Sequence, residues 1–429
     1  MVRVYVEPSR FSGFVEAVPS KSYTHRVYST SLLVNGRSVA LNPLFSSDTE
    51  ATLNACRMFG AETILSKGKV ELSCRRLKLP DDVVNAQNSG TTLRFFTALS
   101  SLAPPGYVVL TGDESLRKRP MQPLIDALRM LGVECWSTRG NGLAPIVVKS
   151  GGHRGGEVEI RGDVSSQFIS ALLISSVKAE KDVDIIVREE QVSKQYIDAT
   201  IKVLENFGFK IYREGYSYYH VRGGQEGRPS VFRVPGDFSS ASFLIAGAYL
   251  TGGEVEISNL DTTLPQSDSK IIDIAKDFGC RVEFRSGDTI YVKCSGIGEG
   301  GEYVLTDSPD LLPVVAVMAV KTVGETIIRG VEHAKFKESD RINSTAIELK
   351  KLGVDVEVLK DGLKIKGREE VEGGVELSSH SDHRLFMAFT VLASATKKGC
   401  IVDGLEWVKV SYPEFINHLK KLNVSIREI

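Results

Sequence analysis

The sequence predicts an α/β protein of two similar lobes, made of six βαβαββ units with sheets outside and helices enclosed. Three observations predict it: a helix-ending signature repeated six times, helices that have no polar face, and a carboxy-terminal strand without a local partner.

The signature is an apolar residue and Gly, followed by a short alternating strand. It occurs at Phe59-Gly60, Leu131-Gly132, Phe207-Gly208, Phe278-Gly279 and Leu352-Gly353, and with Asn for Gly at Leu422-Asn423. Successive copies lie 72, 76, 71, 74 and 70 residues apart, so six units tile the 429 residues. Gly or Asn suits a left-handed helix C-cap, and Arg57, Arg129, Lys276, Lys350 and Lys420 in the preceding turn oppose the negative helix end. An alternating strand, a tight turn and a second strand follow each cap, as in Val282–Val292 and Val354–Ile365, which predicts a hairpin per unit.

Half a unit earlier stands a different helix, apolar nearly all round: Phe168–Ile174, Ala241–Leu250, Leu311–Val320 and Leu385–Ala395. Such a helix must be enclosed. Capping residues precede each position: Ser20-Lys21-Ser22, Asn88–Thr92, Asp163–Ser166, Asp237–Ser240, Asp307–Asp310 and Ser381-Asp382. The unit therefore reads strand, buried helix, strand, amphipathic helix, hairpin. The sixth unit ends on one strand, Val424–Glu428, whose expected partner is Val2–Val6; both termini then share a lobe. Three units per lobe place the crossings near Pro19 and Pro235, giving one lobe of residues 1–18 and 236–429 and another of 19–235.

Composition excludes several classes. Lys and Arg number 53 against 54 Asp and Glu, a net charge of −1, which lacks the basic excess of a general nucleic-acid binder. The longest apolar run, Leu311–Val320, is half a membrane span. Val2–Val6 reads as a strand, not a targeting leader. Six scattered cysteines (56, 74, 135, 280, 294 and 400) without a C-x-x-C pair predict reduced core thiols and a cytoplasmic protein.

Charge placement points to the chemistry. Lys21 and Arg26 are expected at the start of the first buried helix, Arg94 a turn into the second, and His383-Arg384 at the start of the sixth. Arg119 precedes one amphipathic helix, and Lys337 and Arg341 bracket the start of another. Each cation at a helix amino end is disfavoured by about 0.3–1 kcal/mol, so anions should offset them. Local carboxylates could do so: Asp382 for Arg384, and Glu338 or Asp340 for Lys337 and Arg341. Recurrence at equivalent ends of repeated units favours bound phosphate or carboxylate instead. His380 and His383 lack a convincing third metal ligand, and Gly296–Gly301 is a loop without the following helix of a nucleotide fold.

These residues resemble a known family along the whole chain: the EPSP synthases, or 3-phosphoshikimate 1-carboxyvinyltransferases. The matching stretches are Pro19–Arg26, Asn88–Arg94, Arg119-Pro120, Ser165–Gln167, Ser193–Tyr196, Lys337–Arg341 and Ser381–Arg384. The resemblance implies a two-lobed inside-out α/β barrel, usually monomeric, that closes on shikimate 3-phosphate and phosphoenolpyruvate and needs no metal or other cofactor. It implies shikimate 3-phosphate contacts from Lys21, Ser22, Arg26, Ser165, Ser166, Gln167, Ser193, Tyr196, Asp310 and Lys337. For phosphoenolpyruvate it implies Lys21, Asn88, Gly90, Arg119, Gln167, Arg341, Arg384 and Lys409. Asp310 is implied as the base at the 5-hydroxyl, and Glu338 as the group that gives and retakes the methyl-forming proton, with Lys21 assisting. Otherwise the expected roles are an N-cap for Asp310 and an ion pair for Glu338. The chain departs from many relatives at Gln87, His333 and Val410, with Lys409 one residue before the last.

Two alternatives share the repeat. UDP-N-acetylglucosamine 1-carboxyvinyltransferases carry a reactive cysteine in the loop before Arg119, where Asp113–Lys118 has none. A non-catalytic or RNA-end-binding protein would show an aromatic-basic stripe, which is missing here. No nucleic-acid or membrane partner is expected.

Overall fold

A computed structural model describes residues 1–429, which divide into two compact units, Pro19–Pro235 and Met1–Val18 with Gly236–Ile429. In the Pro19–Pro235 unit the helices are α1 (Lys21–Ser31), α2 (Ser47–Met58), α3 (Gly90–Ser100), α4 (Gln122–Met130), α5 (Ser166–Ser176) and α6 (Lys194–Asn206). In the other they are α7 (Phe238–Thr251), α8 (Ile271–Asp277), α9 (Leu312–Ala319), α10 (Arg341–Lys351), α11 (His383–Ala393) and α12 (Phe415–Lys421). Odd-numbered helices are the enclosed kind: every residue of α9 is buried, as is Phe238–Leu250 of α7.

Each unit has three four-stranded sheets of one pattern, a parallel pair extended by an antiparallel hairpin. Gly156–Arg161 runs parallel to Val183–Arg188 across the α5 crossover, and Val183–Arg188 then pairs with Tyr218–Val221, which pairs with Ile211–Glu214. Parallel neighbours need a long crossover and antiparallel ones a tight turn, so the sequence order of helix and hairpin dictates this arrangement. Three sheets take a strand from a distant part of the chain. Val231–Arg233 lies beside Gly36–Leu41, and Ser12–Glu16 beside Glu254–Ser258, both parallel. Arg3–Val6 sits between Cys400–Asp403 and Ile426–Glu428, completing the last sheet.

Strand alternation sends one face inward: Val183, Ile185 and Val187 are buried while Asp184 and Arg188 are not. Those faces close over the apolar helices, so truncating a core residue such as Leu244 in α7 should cost about 2–5 kcal/mol. Gly60, Gly132, Gly208, Gly279 and Gly353 end the amphipathic helices with φ between 74° and 100°, and Asn423 does so at 63°. A larger side chain there would be strained against the left-handed backbone.

Three expectations are corrected. Cys280 and Cys294 form a disulfide, leaving Cys56, Cys74, Cys135 and Cys400 as buried thiols. The physical reason is the hairpin register: Arg281 faces Lys293, so the two cysteines fall directly opposite one another, with Cα atoms 4.3 Å apart. Asp310 is not an N-cap; it lies in a 3-10 turn, Pro309–Leu311, and α9 starts without a side-chain cap. Arg26 lies in the middle of α1, not at its start, and is 3% exposed.

Candidate active site

In the Pro19–Pro235 unit, three enclosed helices begin with side-chain caps: Ser20 on α1, Ser89 on α3 and Ser165 on α5. Lys21, in the first turn of α1, reaches Asp48 at the start of α2, with Nζ 2.8 Å from Oδ2. Arg26 makes no ion pair. Its Nε donates to Thr200 Oγ1, Nη1 to the Ser22 carbonyl and Nη2 to the Tyr196 carbonyl, each at 2.8 Å. Its guanidinium also lies 5.6 Å from the Phe95 ring centre and 5.8 Å from that of Tyr196. Burial lowers its pKa to about 10, which leaves it charged. Thr200 Oγ1 also donates to Ser170 Oγ at 2.8 Å, so Arg26 ties α1 to α6 and α6 to α5. Ser193, ahead of α6, is buried in a left-handed conformation at φ 56°, and Ser166 opens α5.

A second group gathers around Gly90. A Cβ there would sit 3.0 Å from Arg94 Nη1, 3.4 Å from Arg119 Nη1 and 3.6 Å from Gln167 Oε1, so glycine keeps the three polar groups together. Arg94 Nη1 donates to Gln167 Oε1 at 2.5 Å, and Gln167 Nε2 donates to Thr91 Oγ1 at 3.0 Å. Arg119 Nη2 donates to Asn88 Oδ1 at 3.0 Å, while Asn88 Nδ2 donates to Asp113 Oδ2 at 2.7 Å. The preceding Gln87 has φ 51°. Lysine and arginine beside helix amino ends can exchange such contacts for those of a phosphate or carboxylate.

The Met1–Val18 and Gly236–Ile429 unit holds a compact ionic cluster. Arg341 begins α10, is 1% exposed and meets three carboxylates. Its Nη1 donates to Asp310 Oδ1 at 2.7 Å, Nη2 to Glu338 Oε2 at 2.6 Å and Nε to Asp382 Oδ2 at 2.8 Å. Arg384 Nη2 lies 2.9 Å from Asp310 Oδ2, and Lys337 Nζ lies 3.8 Å from Asp310 Oδ1. Burial alone would raise the Asp310 pKa, but Arg384, Lys337 and Arg341 outweigh it and hold the carboxyl well below its ordinary range. Arg341 moves the other way: burial would lower it, and Asp382, Glu338 and Asp310 hold it protonated.

Local carboxylates thus offset part of the charge: Glu338 holds Arg341 as the sequence suggests, while the expected pairs of Asp382 with Arg384 and of Asp340 with either cation give way to others. Asp340 caps α10 by accepting from Asn343 N, and Arg384 pairs with Asp310 while its backbone N–H goes to Asp382. Lys409 is exposed on a 3-10 turn, Leu405–Val410, packed on α11, and no bond links it to the cluster. Val410 beside it is buried.

Asp48, Asp268 and Glu348, not among the residues expected from the sequence, also pair with or lie beside these groups. Asp268 is 1% exposed and accepts from Ser239 Oγ; burial and then Asp310 raise its pKa to about 6, against the pull of Arg384. Asp48 had a local signal, a Ser-Ser-Asp-Thr run that starts α2. The other two become visible only through tertiary neighbours.

The sequence matches the family model for EPSP synthase (3-phosphoshikimate 1-carboxyvinyltransferase) over residues 6–419. It is 42% identical over 424 residues to the 3-phosphoshikimate 1-carboxyvinyltransferase of Methanococcus vannielii, covering 98% of each chain. With that of Methanothermobacter thermautotrophicus it shares 45% over 419 residues, covering 96% of each. The crystal structure of EPSP synthase from Acinetobacter baumannii superimposes with a TM-score of 0.84 at 26% identity, covering the full length of both chains.

Proposed function

This chain belongs to the EPSP synthase family, and we infer that it transfers the enolpyruvyl group of phosphoenolpyruvate to the 5-hydroxyl of shikimate 3-phosphate, releasing phosphate. The observation that carries the reading is Arg341, which holds two carboxylates, Asp310 and Glu338, at 2.7 and 2.6 Å beside Lys337 and Arg384. An addition–elimination needs a proton acceptor, a proton donor and fixed cations, and two carboxylates among three cations are the groups from which such roles are made.

Ser165, Ser166, Gln167 and Ser193 hold shikimate 3-phosphate, with Lys21, Ser22, Arg26, Tyr196, Asp310 and Lys337. Arg119, Arg341 and Arg384, with Lys21, Asn88, Gly90 and Gln167, hold phosphoenolpyruvate; Lys409 is its weakest candidate, being exposed and apart.

In the addition step, Asp310 takes the hydroxyl proton as the substrate oxygen bonds to the enol carbon, and Glu338 gives a proton to the methylene carbon. In the elimination step, Glu338 retakes a proton from the new methyl group and the C–O bond to phosphate breaks. Asp310 is ionised but weakened as a base by three cations, so it accepts the proton once bound substrate draws those cations toward itself. Glu338 must first gain a proton, and an arriving anion supplies the cause. It competes for Arg341 and raises the proton affinity of the carboxylate that Arg341 releases. Lys21 assists by neutralising charge.

The substrates are small phosphorylated acids that do not cross membranes unaided, which supports cytoplasmic action; we take the working form to be a monomer. The test is phosphate release by the purified chain with either substrate alone and with both. Release only with both is expected, and no release at saturating concentrations of both would refute the reading.

A further inference from the structure

The segment Ser378–Asp382, which delivers Arg384 to the start of α11, is held at both ends by one helix. Arg341 at the start of α10 takes Asp382 at 2.8 Å. Seven residues later, about two turns along the same face, Glu348 takes the other end. Its Oε2 accepts from the Ser378 N–H at 2.9 Å, and Oε1 pairs with His380 Nε2 at 2.9 Å. Lys351 Nζ completes the set at 2.7 Å from Oε2.

Between these two fixed points the backbone is strained. His380 and Ser381 are consecutive left-handed residues at φ 49° and 61°. Such conformations persist only where the surroundings over-determine them. Here the His380 N–H donates to Ser378 Oγ at 3.2 Å, and the Ser379 N–H donates to Asp403 Oδ1 at 2.6 Å. The next residue, Asp382, caps α11 through the Arg384 N–H at 2.8 Å. The direction in which α11 starts, and with it Arg384, depends on that turn.

Glu348 itself takes no part in the acid–base chemistry, yet its carboxylate is 1% exposed. A buried charge is poorly tolerated unless every lone pair is engaged. Burial would raise its pKa; the bonds from His380, Lys351 and the Ser378 N–H outweigh burial and keep it ionised. Buried ionic groups of this kind are best explained where they select one local geometry.

We propose that Glu348, acting through His380 and Ser378, is a positioning residue that sets Arg384 for phosphoenolpyruvate. This rests on the assignment of Arg384 to that substrate. Removing the carboxylate frees the turn to relax toward right-handed conformations, displacing Asp382 and the first turn of α11 together. Misplacement of a binding group by about 1 Å can cost up to roughly 100-fold.

The test is steady-state kinetics on Glu348→Ala, Glu348→Gln, His380→Asn and Arg384→Ala, with a separate titration of shikimate 3-phosphate binding. Glu348→Ala should raise the KM for phosphoenolpyruvate about 10-fold or more and leave shikimate 3-phosphate affinity within about twofold. Glu348→Gln should recover part of the loss, because its amide oxygen still accepts from the turn. His380→Asn tolerates the left-handed conformation but shortens the bond, so it should fall between them. This variant changes a partly exposed residue and reports even where Glu348→Ala fails to fold. An unchanged KM for phosphoenolpyruvate in His380→Asn and the soluble Glu348 variants, or equal weakening of both substrates, overturns the proposal. If Arg384→Ala also leaves that KM unchanged, the assignment of Arg384 is what failed; if it alone raises it, only the positioning role of Glu348 falls.

Discussion

Arg341 and Asp310, 31 residues apart in sequence, are joined at 2.7 Å, and Arg341 also holds Glu338 and Asp382. Lys337 and Arg384 add two more cations at Asp310, and the buried Asp268 is close enough to feel both Asp310 and Arg384.

Asp310→Asn and Glu338→Gln should each preserve shikimate 3-phosphate binding and reduce turnover by about 10²–10⁴-fold, the usual range for an acid or base. Isothermal titration and initial rates on the same preparations decide it. Near-wild-type turnover in both variants would remove them from the mechanism.

Arg119 bonds Asn88 at 3.0 Å and crowds Gly90, so its loss should affect one anion more than the other. We expect Arg119→Ala to raise the KM for phosphoenolpyruvate by at least about 10-fold, the effect of losing a charge-assisted contact of roughly 1.5–3 kcal/mol. A KM equal to that of the wild type would place phosphoenolpyruvate elsewhere.

Acid should destabilise the chain through its buried histidines. Burial, with Lys21 and Arg26, holds His25 well below its ordinary pKa, and burial lowers His153 to about 4. The unfolded chain, titrating near 6.5, binds these protons first, so stability is present above about pH 6.5 and is lost as pH falls toward 4. For His153 the loss is on the order of 3 kcal/mol. Asp268, raised to about 6, acts in the opposite sense: its contribution is present at low pH and is lost as pH rises through 6. Urea midpoints between pH 4 and 8 should show a shallower acid loss in His153→Gln than in the wild type; parallel curves would exclude the histidine.

Reduction should weaken the unit that contains Cys280–Cys294. The bridge spans 14 residues, and closing a loop of that size is worth about 3 kcal/mol in the chain-entropy view. Melting with and without a phosphine reductant, alongside Cys280→Ser, measures it. Coincident curves for oxidised, reduced and substituted chains would show that the bridge contributes nothing.

Much of the fold was legible because its signals are local. Gly60 and its five counterparts mark helix ends through their own backbone conformation, and Leu312–Ala319 declares its burial through its lack of a polar residue. Several candidate residues were legible singly: Lys21, Arg119, Arg341 and Arg384 stand at or just before helix amino ends, against the helix dipole. Apart from Glu338 for Arg341, their partners were not. Nothing in Asp310 or Asp382 says that both would be spent on Arg341, and the left-handed pair His380-Ser381 carries no glycine to announce it. Cys280 and Cys294 lacked any spacing motif, since their pairing follows from hairpin register.

The six-unit α/β architecture, the enclosed helices and the cations placed against helix dipoles are all written in short stretches of sequence. Those follow from periodicity, backbone preference and the dipole, each acting over a few residues. The pairing of Asp310 with Arg384, the bond of Glu348 to the turn before α11 and the joining of two thiols leave no local signal. These are interactions across 14 to 74 residues of chain, and their geometry exists only once packing has brought distant segments together.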